Sequence, residues 1–202
     1  MGNNTRIFVS FEGVVANNTK FRKEIIESLP SEVRVAYKSG IARNEQDYLE
    51  KINWYKEYKR LINKDSMRVL VGCREMIPVS RCICEAEKKA IQRILEEKGY
   101  TDELYSIMLK KSEFELTDKE APEQRIEDIS QGVFAVTENA LVHTDKKVLS
   151  SWYLHGGKAF QFDPYGKEDI STLESSDGKS VVKVVKTLRM VPMALGIYKS
   201  KK

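Results

Sequence analysis

The chain has little of what marks several large classes of protein. Of its 202 residues, 5 are Pro and 11 are Gly, with no repeating pattern, so a collagen-like or low-complexity chain is excluded. No apolar run is long enough to span a bilayer, and the first residues form no apolar signal segment. Hydrophobic residues make up 41% of the chain, which excludes a disordered polymer. We therefore expect a folded protein without stable membrane anchoring.

Cysteine is also scarce. The three thiols are Cys73, Cys82 and Cys84, and so few cysteines without a signal segment favour a reducing cytoplasm over a disulfide framework. Their spacing does not match the paired ligands of a structural zinc site, and His143 and His155 are far away in the sequence. We therefore predict a cytoplasmic protein with no metal site and no cofactor, in which the cysteines act as small buried hydrophobes.

The common signatures of nucleotide and hydrolase chemistry are missing from the sequence. It has no P-loop, no dinucleotide fingerprint, no nucleophile elbow and no zinc-protease motif. The segment Gly156-Gly157-Lys158 lacks the other residues of a phosphate loop and predicts a turn. A common catalytic site of these types is therefore not expected.

The positive charge is concentrated in the first half of the chain. Residues 1–100 carry 19 Lys and Arg against 14 Asp and Glu, whereas residues 101–202 carry 15 against 16. The excess of +5 in the first half is compatible with weak, salt-sensitive contact with nucleic acid. A solvated surface that keeps the chain soluble is the simpler explanation of the same excess.

A helix predicted over residues 44–64 combines aromatic and basic side chains. Most of its aromatic residues lie on the stripe that would cover a sheet, so core packing is the favoured interpretation for them. Trp54 lies off that stripe and is predicted to form a contact surface, because aromatic rings and cations together stack bases and bind phosphates. The candidate binding residues are Trp54, Lys56, Lys59 and Arg60.

The hydrophobic period changes near residue 110. Before it, strand patterns alternate with amphipathic helices, which predicts an α/β layer region over residues 1–110. After it, short apolar segments alternate with turn residues about every ten positions, which predicts a β-rich region over residues 112–202. The whole chain is thus predicted to be α+β with two regions. The assignments that matter most are helices at 19–29, 84–98 and 104–109 and strands at 67–71 and 148–154.

The first predicted strand ends in a short acidic segment. Residues 8–15, Phe-Val-Ser-Phe-Glu-Gly-Val-Val, are similar to the first motif of the haloacid dehalogenase superfamily, an apolar strand followed by Asp-x-Asp-Gly-Val or Asp-x-Asp-Gly-Thr. The first Asp of that motif is the family's nucleophile. Here Ser10 stands in its place and Glu12 in the place of the second Asp. Because the nucleophilic carboxylate is replaced, we interpret the segment as a buried strand that ends in a glycine turn.

The second half of the chain, over residues 113–190, resembles bacterial pleckstrin-homology-like domains. Residues 132–144 carry the resemblance with a Gly, an apolar strand, a Thr, a short turn and a second apolar strand. Residues 160–162 and 168–174 continue it with a strand, acidic residues and an Ile-Ser-Thr step. The resemblance implies a partly open β-barrel that serves as a binding or assembly module rather than an enzyme.

The predicted function is therefore a non-catalytic cytoplasmic protein that binds a protein partner or associates with itself through sheet edges. The alternative is an enzyme or nucleic-acid-processing factor with an acidic site at the strand ends of the N-terminal region. Ligands of open α/β sheets bind beyond the carboxyl ends of the strands, which is where Glu12 falls. The candidate catalytic residues of that alternative are Ser10, Glu12 and Glu75.

Overall fold

The protein folds around a six-stranded parallel sheet with helices packed against it. The structure is a computed structural model, which describes residues 5–34, 45–100, 106–109, 139–166 and 182–197. The strands are β1 (Ile7–Ser10), β2 (Met76–Cys82), β3 (Ser106–Leu109), β4 (Ala140–His143), β5 (Lys158–Phe162) and β6 (Val182–Val185). The helices are α1 (Thr19–Ser28), α2 (Glu45–Glu50), α3 (Trp54–Leu61), α4 (Lys64–Gly72), α5 (Glu85–Glu96), α6 (Lys146–Leu154) and α7 (Met190–Ala194).

The strand order is β3-β2-β1-β4-β5-β6, and every pair is parallel. Strand β1 lies in the middle, with Ile7 opposite Met76 of β2 on one side and Ala140 of β4 on the other. The order reverses between β1 and β4, and such a switch point in a doubly wound sheet is where ligands bind beyond the carboxyl ends of the strands. The topology therefore makes the carboxyl end of β1 the expected position of a ligand site.

Each face of the sheet has its own hydrophobic core, because successive strand residues point to opposite sides. Ile7 and Val9 belong to the larger core, whereas Phe8 belongs to the smaller core on the other face. All four residues of β1 are buried. A strand covered on both faces is apolar throughout, which explains the continuous apolar run at the start of the sequence.

Two of the predicted helices are confirmed. The pattern over 19–29 corresponds to α1, and the pattern over 84–98 corresponds to α5. Helix α5 follows Cys84, whose sulfur accepts a hydrogen bond from the backbone N–H of Glu87 at 3.4 Å. Its buried face consists of residues at helical spacing: Glu87, Ala90, Ile91, Ile94 and Leu95.

Three predicted elements are wrong. Residues 67–71 and 148–154, predicted as strands, belong to helices α4 and α6, and the helix predicted at 104–109 is replaced there by β3. A short apolar run does not distinguish a buried strand from the buried side of a helix. For α6 the deciding local signal is Asp145, whose carboxylate accepts a hydrogen bond from the backbone N–H of Lys147 at 2.9 Å and so caps the helix.

The predicted β-rich, partly open barrel over residues 112–202 is also wrong. Strands β4, β5 and β6 pair in parallel and extend the sheet that contains β1. Parallel neighbours require a crossover connection, and α6 lies between β4 and β5 in the chain. Residues 132–138, which would form the first strand of the proposed hairpin, lie outside the described residues.

Strands from both sides of the predicted boundary near residue 110 thus lie in one sheet. The larger core likewise includes Val9 from β1, Val142 from β4 and Phe160 from β5. Among the described residues, no helix is both long and apolar enough to cross a membrane.

Candidate active site

The chain turns sharply where it leaves β1. Residues Phe11–Val15 form a single tight turn in which the Ser10 hydroxyl donates a hydrogen bond to the carbonyl oxygen of Glu12 at 2.9 Å. Gly13 has a φ of 76°, and a Cβ at this position would come within 2.9 Å of the Thr144 side chain, just beyond β4. Glycine is therefore required at Gly13 both for the backbone conformation and for the close approach to β4.

The turn places the Glu12 carboxylate at the carboxyl edge of the sheet. Its Oε1 accepts a hydrogen bond from Arg22 of α1, with Nη2 at 2.9 Å, and another from the hydroxyl of Ser80 in β2. Its Oε2 lies 3.5 Å from the Ser10 Oγ. The Glu12 side chain is 19% exposed, so the carboxylate remains accessible from solvent while groups from three elements hold it.

A second carboxylate lies behind the first. Glu87 of α5 is completely buried and accepts a hydrogen bond from Arg22 through Nε at 2.7 Å. It also accepts hydrogen bonds from the backbone N–H of Ile83 at 2.6 Å and from the Tyr58 hydroxyl. The Asn18 amide donates to the same hydroxyl at 2.7 Å. Arg22 therefore joins the edge carboxylate of Glu12 to a buried polar network.

The network has a strong effect on the ionisation of its members. Burial alone would lower the pKa of Arg22, but the negative charge of Glu87, with Tyr58 and Glu12, raises that pKa well above its usual value. Burial raises the pKa of Tyr58 well above its usual value, Arg22 acts in the opposite direction, and the charge of Glu87 raises it further. The guanidinium thus stays charged, and the Tyr58 hydroxyl keeps its proton and donates a hydrogen bond to Glu87.

The raised pKa of Tyr58 predicts a loss of stability in alkali. In the unfolded chain this hydroxyl ionises near pH 10, whereas the folded protein retains its proton. The contribution of protonated Tyr58 to the free energy of unfolding is fully present below about pH 10. Above that pH, the free energy of unfolding is expected to fall by up to about 1.4 kcal/mol per pH unit. Urea denaturation between about pH 9 and pH 11 measures this slope. Tyr58→Phe is expected to make the slope shallower, and Tyr48→Phe, which changes an exposed tyrosine, to leave it unchanged.

The end of β4 brings a histidine next to Ser10. Val9 lies opposite Val142, so the next register position places Ser10 beside His143. The Nδ1 of His143 accepts a hydrogen bond from the backbone N–H of Asp145 at 2.8 Å. In the neutral ring the proton is therefore on Nε2, so that nitrogen does not act as a general base.

The structure brings together two of the three predicted catalytic residues. Ser10 and Glu12 share the turn after β1, whereas Glu75 precedes β2 at the opposite, amino-terminal edge of the sheet. The carbonyl of Glu75 accepts a hydrogen bond from the backbone N–H of Ile7 at 2.8 Å, and the Cys73 thiol donates to its carboxylate at 3.4 Å. The structure does not place Glu75 or Cys73 with Ser10 and Glu12.

The predicted binding residues all lie on α3 but in different surroundings. Trp54 is 1% exposed and belongs to the core, which corrects the expectation that it forms a contact surface. Lys59 pairs with Glu97 at 3.4 Å, Arg60 pairs with Glu57 at 2.7 Å, and Lys56 is exposed. A binding role for these three cations stays a prediction.

Sequence reasoning missed the residues that hold Glu12 in place. Arg22 was included in an amphipathic helix, and Ser80 lies in β2, a strand that the sequence pattern did not predict. Glu87 is a charged residue of the helix predicted at 84–98, where a solvent-facing position is the usual expectation, yet it is completely buried. Ser80 follows the mostly apolar residues 76–79 in the sequence. That order is typical of a buried strand with a polar side chain near its end, and it could have predicted the position of Ser80.

The strand order and the turn after the central strand define a doubly wound α/β class of protein. Comparison with solved structures agrees. The chain is similar to an L-2-haloacid dehalogenase from Xanthobacter autotrophicus with chloropropionic acid covalently bound, with a TM-score of 0.53, 10% sequence identity and coverage of 95% of this chain and 98% of that one. This likeness shows a shared fold.

Two further structures have the same fold. One is described as a HAD-hydrolase, YfnB from Bacillus subtilis bound to magnesium, with a TM-score of 0.51, 9% identity and coverage of 95% and 98%. The other is a HAD phosphatase from Thermococcus onnurineus, with a TM-score of 0.50, 10% identity and the same coverage. The sequence matches no protein-family model and no curated protein.

These comparisons correct the predicted family. The resemblance of residues 113–190 to pleckstrin-homology-like domains is wrong, because the neighbouring structures are haloacid dehalogenase-like hydrolases with a parallel α/β fold. The binding or assembly module that this resemblance implied therefore has no support from the fold. The similarity of residues 8–15 to the first motif of that superfamily agrees with this fold.

Proposed function

We propose that the protein is a hydrolase whose catalytic carboxylate is Glu12. The observation that supports this is the position of Glu12 at the carboxyl edge of the central strand, 19% exposed and oriented by Arg22 and Ser80. Solved structures of the same fold include a dehalogenase and a phosphatase, both of which break a bond between a substrate and a leaving group. The proposed substrate is accordingly an ester with an acidic product.

In the proposed reaction, Glu12 acts as a general base. Its carboxylate accepts a proton from a water molecule while the water oxygen forms a bond to the electrophilic carbon or phosphorus of the ester. The bond from that atom to the leaving oxygen breaks, and the proton is delivered to the leaving alkoxide. Positioned proton transfer of this kind contributes typically about 100- to 10,000-fold in rate.

Ser10 is a positioning residue in this proposal. It is only 2% exposed, and its hydroxyl already donates a hydrogen bond to the Glu12 carbonyl. That hydrogen bond closes the turn and orients the carboxylate. The Ser10 oxygen is thus used within the site rather than presented to a substrate.

A divalent cation does not fit this site. Among the described residues, no group of three or more His, Cys, Asp or Glu side chains could hold a metal ion. Mg²⁺ is usually held by one or two carboxylates together with waters, and these carboxylates must be free to bind it. Here Ser10 and Ser80 offer neutral hydroxyls, and the Glu12 carboxylate already accepts hydrogen bonds from Arg22 and Ser80. The proposed reaction therefore contains no step through a metal ion.

Hydrolysis of two chromogenic esters, p-nitrophenyl acetate and p-nitrophenyl phosphate, tests the proposal. We expect the wild-type protein to hydrolyse at least one of them and Glu12→Gln to lower kcat by about 100-fold or more. Glu75→Gln is the matched control, because it changes a carboxylate at the opposite edge of the sheet, and kcat should be unchanged. No turnover of either ester, or equal rates for Glu12→Gln and wild type, would contradict the proposed function.

We also propose a cytoplasmic location. The three cysteines are buried free thiols. Burial raises the pKa of Cys82 well above its usual value and that of Cys84 to about 12, which keeps both in the unreactive thiol form. Such thiols suit a reducing compartment, and recovery of the protein in a non-cytoplasmic cell fraction would contradict this location.

A further inference from the structure

The strongest unexplained feature of the site is the position of Arg22. Its side chain is 13% exposed and lies between two carboxylates, with Nη2 at 2.9 Å from Glu12 and Nε at 2.7 Å from Glu87. It projects from the first turn of α1, where its backbone N–H donates to the carbonyl of Asn18 at 2.9 Å. One guanidinium thus places a permanent positive charge directly beside the proposed catalytic carboxylate.

The charge is held firmly in this position. Glu87 is completely buried and is itself anchored by the backbone N–H of Ile83 at 2.6 Å and by the Tyr58 hydroxyl. The planar guanidinium bonds to the two carboxylates through different nitrogens, so rotation would break a charge-assisted hydrogen bond. Arg22 therefore has little freedom to move away and admit another cation.

A divalent cation and Arg22 would compete for the same place. A cation bound to the Glu12 carboxylate would lie within roughly 5 Å of the guanidinium, where like charges repel strongly in a partly buried site. The nearby Glu12 carbonyl already accepts the hydrogen bond from Ser10. Arg22 and Ser80 thus already use the Glu12 carboxylate oxygen that faces them, and the positive charge beside it is that of the guanidinium.

We propose that Arg22 takes the place of a divalent cation in this site and positions Glu12, so that the protein neither binds nor requires Mg²⁺. The catalytic meaning of this inference rests on the proposed function, but its test needs no substrate. Hydrolysis that fails altogether would contradict the proposed function and leave the cation result to be judged separately.

Thermal unfolding with MgCl₂ alone tests the inference. A site saturated about 100-fold would raise the Tm by roughly 5 to 10 °C for a chain of this size. We expect no Mg²⁺-dependent rise for the wild-type protein at about 10 mM MgCl₂, and no bound Mn²⁺ in equilibrium dialysis. A rise of several degrees, or one Mn²⁺ bound per chain, would overturn the proposal.

Substitution of Arg22 provides a second test of the inference. Arg22→Met leaves Glu12 and Glu87 without the cation between them, and we expect this variant to gain a Mg²⁺-dependent rise in Tm that the wild type lacks. Arg22→Lys keeps a positive charge and should not gain it. The matched control is Arg93→Met, which removes an exposed arginine paired with Glu97 and should respond like the wild type.

A folded Arg22→Met variant that does not respond to Mg²⁺ would contradict the inference, because the removed charge would not be what excludes the cation. If Arg22→Met does not fold, the wild-type titration and Arg22→Lys still decide the question. Hydrolysis that continues at the same rate in EDTA, where hydrolysis is observed, would support the inference independently.

Discussion

The Glu87→Gln variant is expected to lose about 3 to 5 kcal/mol of unfolding free energy, because one partner of a buried ion pair is removed while the other stays buried. Glu87 is completely buried and accepts hydrogen bonds from Arg22, Ile83 and Tyr58. An amide has one acceptor oxygen in place of two, and its NH₂ group would face donors. The Arg22 charge would then have only the Glu12 carboxylate as an ionic partner instead of two carboxylates, in a site that excludes most water.

Urea denaturation at neutral pH measures this loss as a fall in the midpoint at constant m-value. The matched control is Glu96→Gln on the same helix, which changes an exposed carboxylate and should alter stability by less than about 0.5 kcal/mol. A Glu87→Gln variant that is as stable as the control would show that the network does not depend on its charge. Replacement by a well-packed apolar pair is a different experiment, since it removes both charges.

The Trp54→Ala variant is expected to lose about 3 to 5 kcal/mol, as large-to-small substitutions of buried aromatic residues do. The Trp54 side chain is 1% exposed, its ring stacks on Tyr58 with centroids 6.1 Å apart, and its edge meets Phe21 at 5.8 Å. Its indole N–H donates a hydrogen bond to the carbonyl of Leu49 at 2.7 Å. Truncation therefore leaves a cavity and removes the donor of a buried hydrogen bond.

The midpoint of urea denaturation again measures the effect, and Lys56→Ala on the same helix is the control. Lys56 is exposed, so its truncation should change stability by less than about 0.5 kcal/mol. A stable Trp54→Ala variant with weakened binding of single-stranded nucleic acid would instead support the surface role that the sequence pattern suggested. A large loss of stability places the residue in the core.

Helices with strong local signals were predictable from sequence. Helix α5 has charged residues on one side and apolar residues on the other, and the helix predicted at 84–98 covers it. Helix α6 was misassigned because Val148 and Leu149 are adjacent and apolar, as in a buried strand. The packing of Trp152 with these two residues against the sheet shows that they share one helical face.

The sequence pattern did not determine whether neighbouring strands are parallel or antiparallel. The apolar segments of β4 and β5 were recognised as strands, but their period of two residues is equally compatible with an antiparallel hairpin. Their partners are distant in sequence, with Leu141 opposite Phe8 and Ala159. Pairing of this kind depends on which surfaces are covered by helices, and that is decided by the whole chain.

The site was partly predictable for a similar reason. Ser10 and Glu12 stand in a motif that follows an apolar strand, and their position at the strand end was anticipated. Because Ser10 replaces the nucleophilic acid of that motif, the sequence favoured a structural interpretation. Arg22, Ser80 and Glu87 come from three other elements, and their convergence on Glu12 follows from tertiary packing.

The sequence alone determined that β1 is a buried strand ending in an acidic glycine turn and that α1 and α5 are amphipathic helices. Those properties depend on neighbours in the chain, through hydrophobic period, capping and turn chemistry. Only the tertiary structure decided that the sheet is parallel throughout and that Glu12 meets Arg22. Such contacts join residues far apart in sequence, and their free energy depends on burial that no local pattern records.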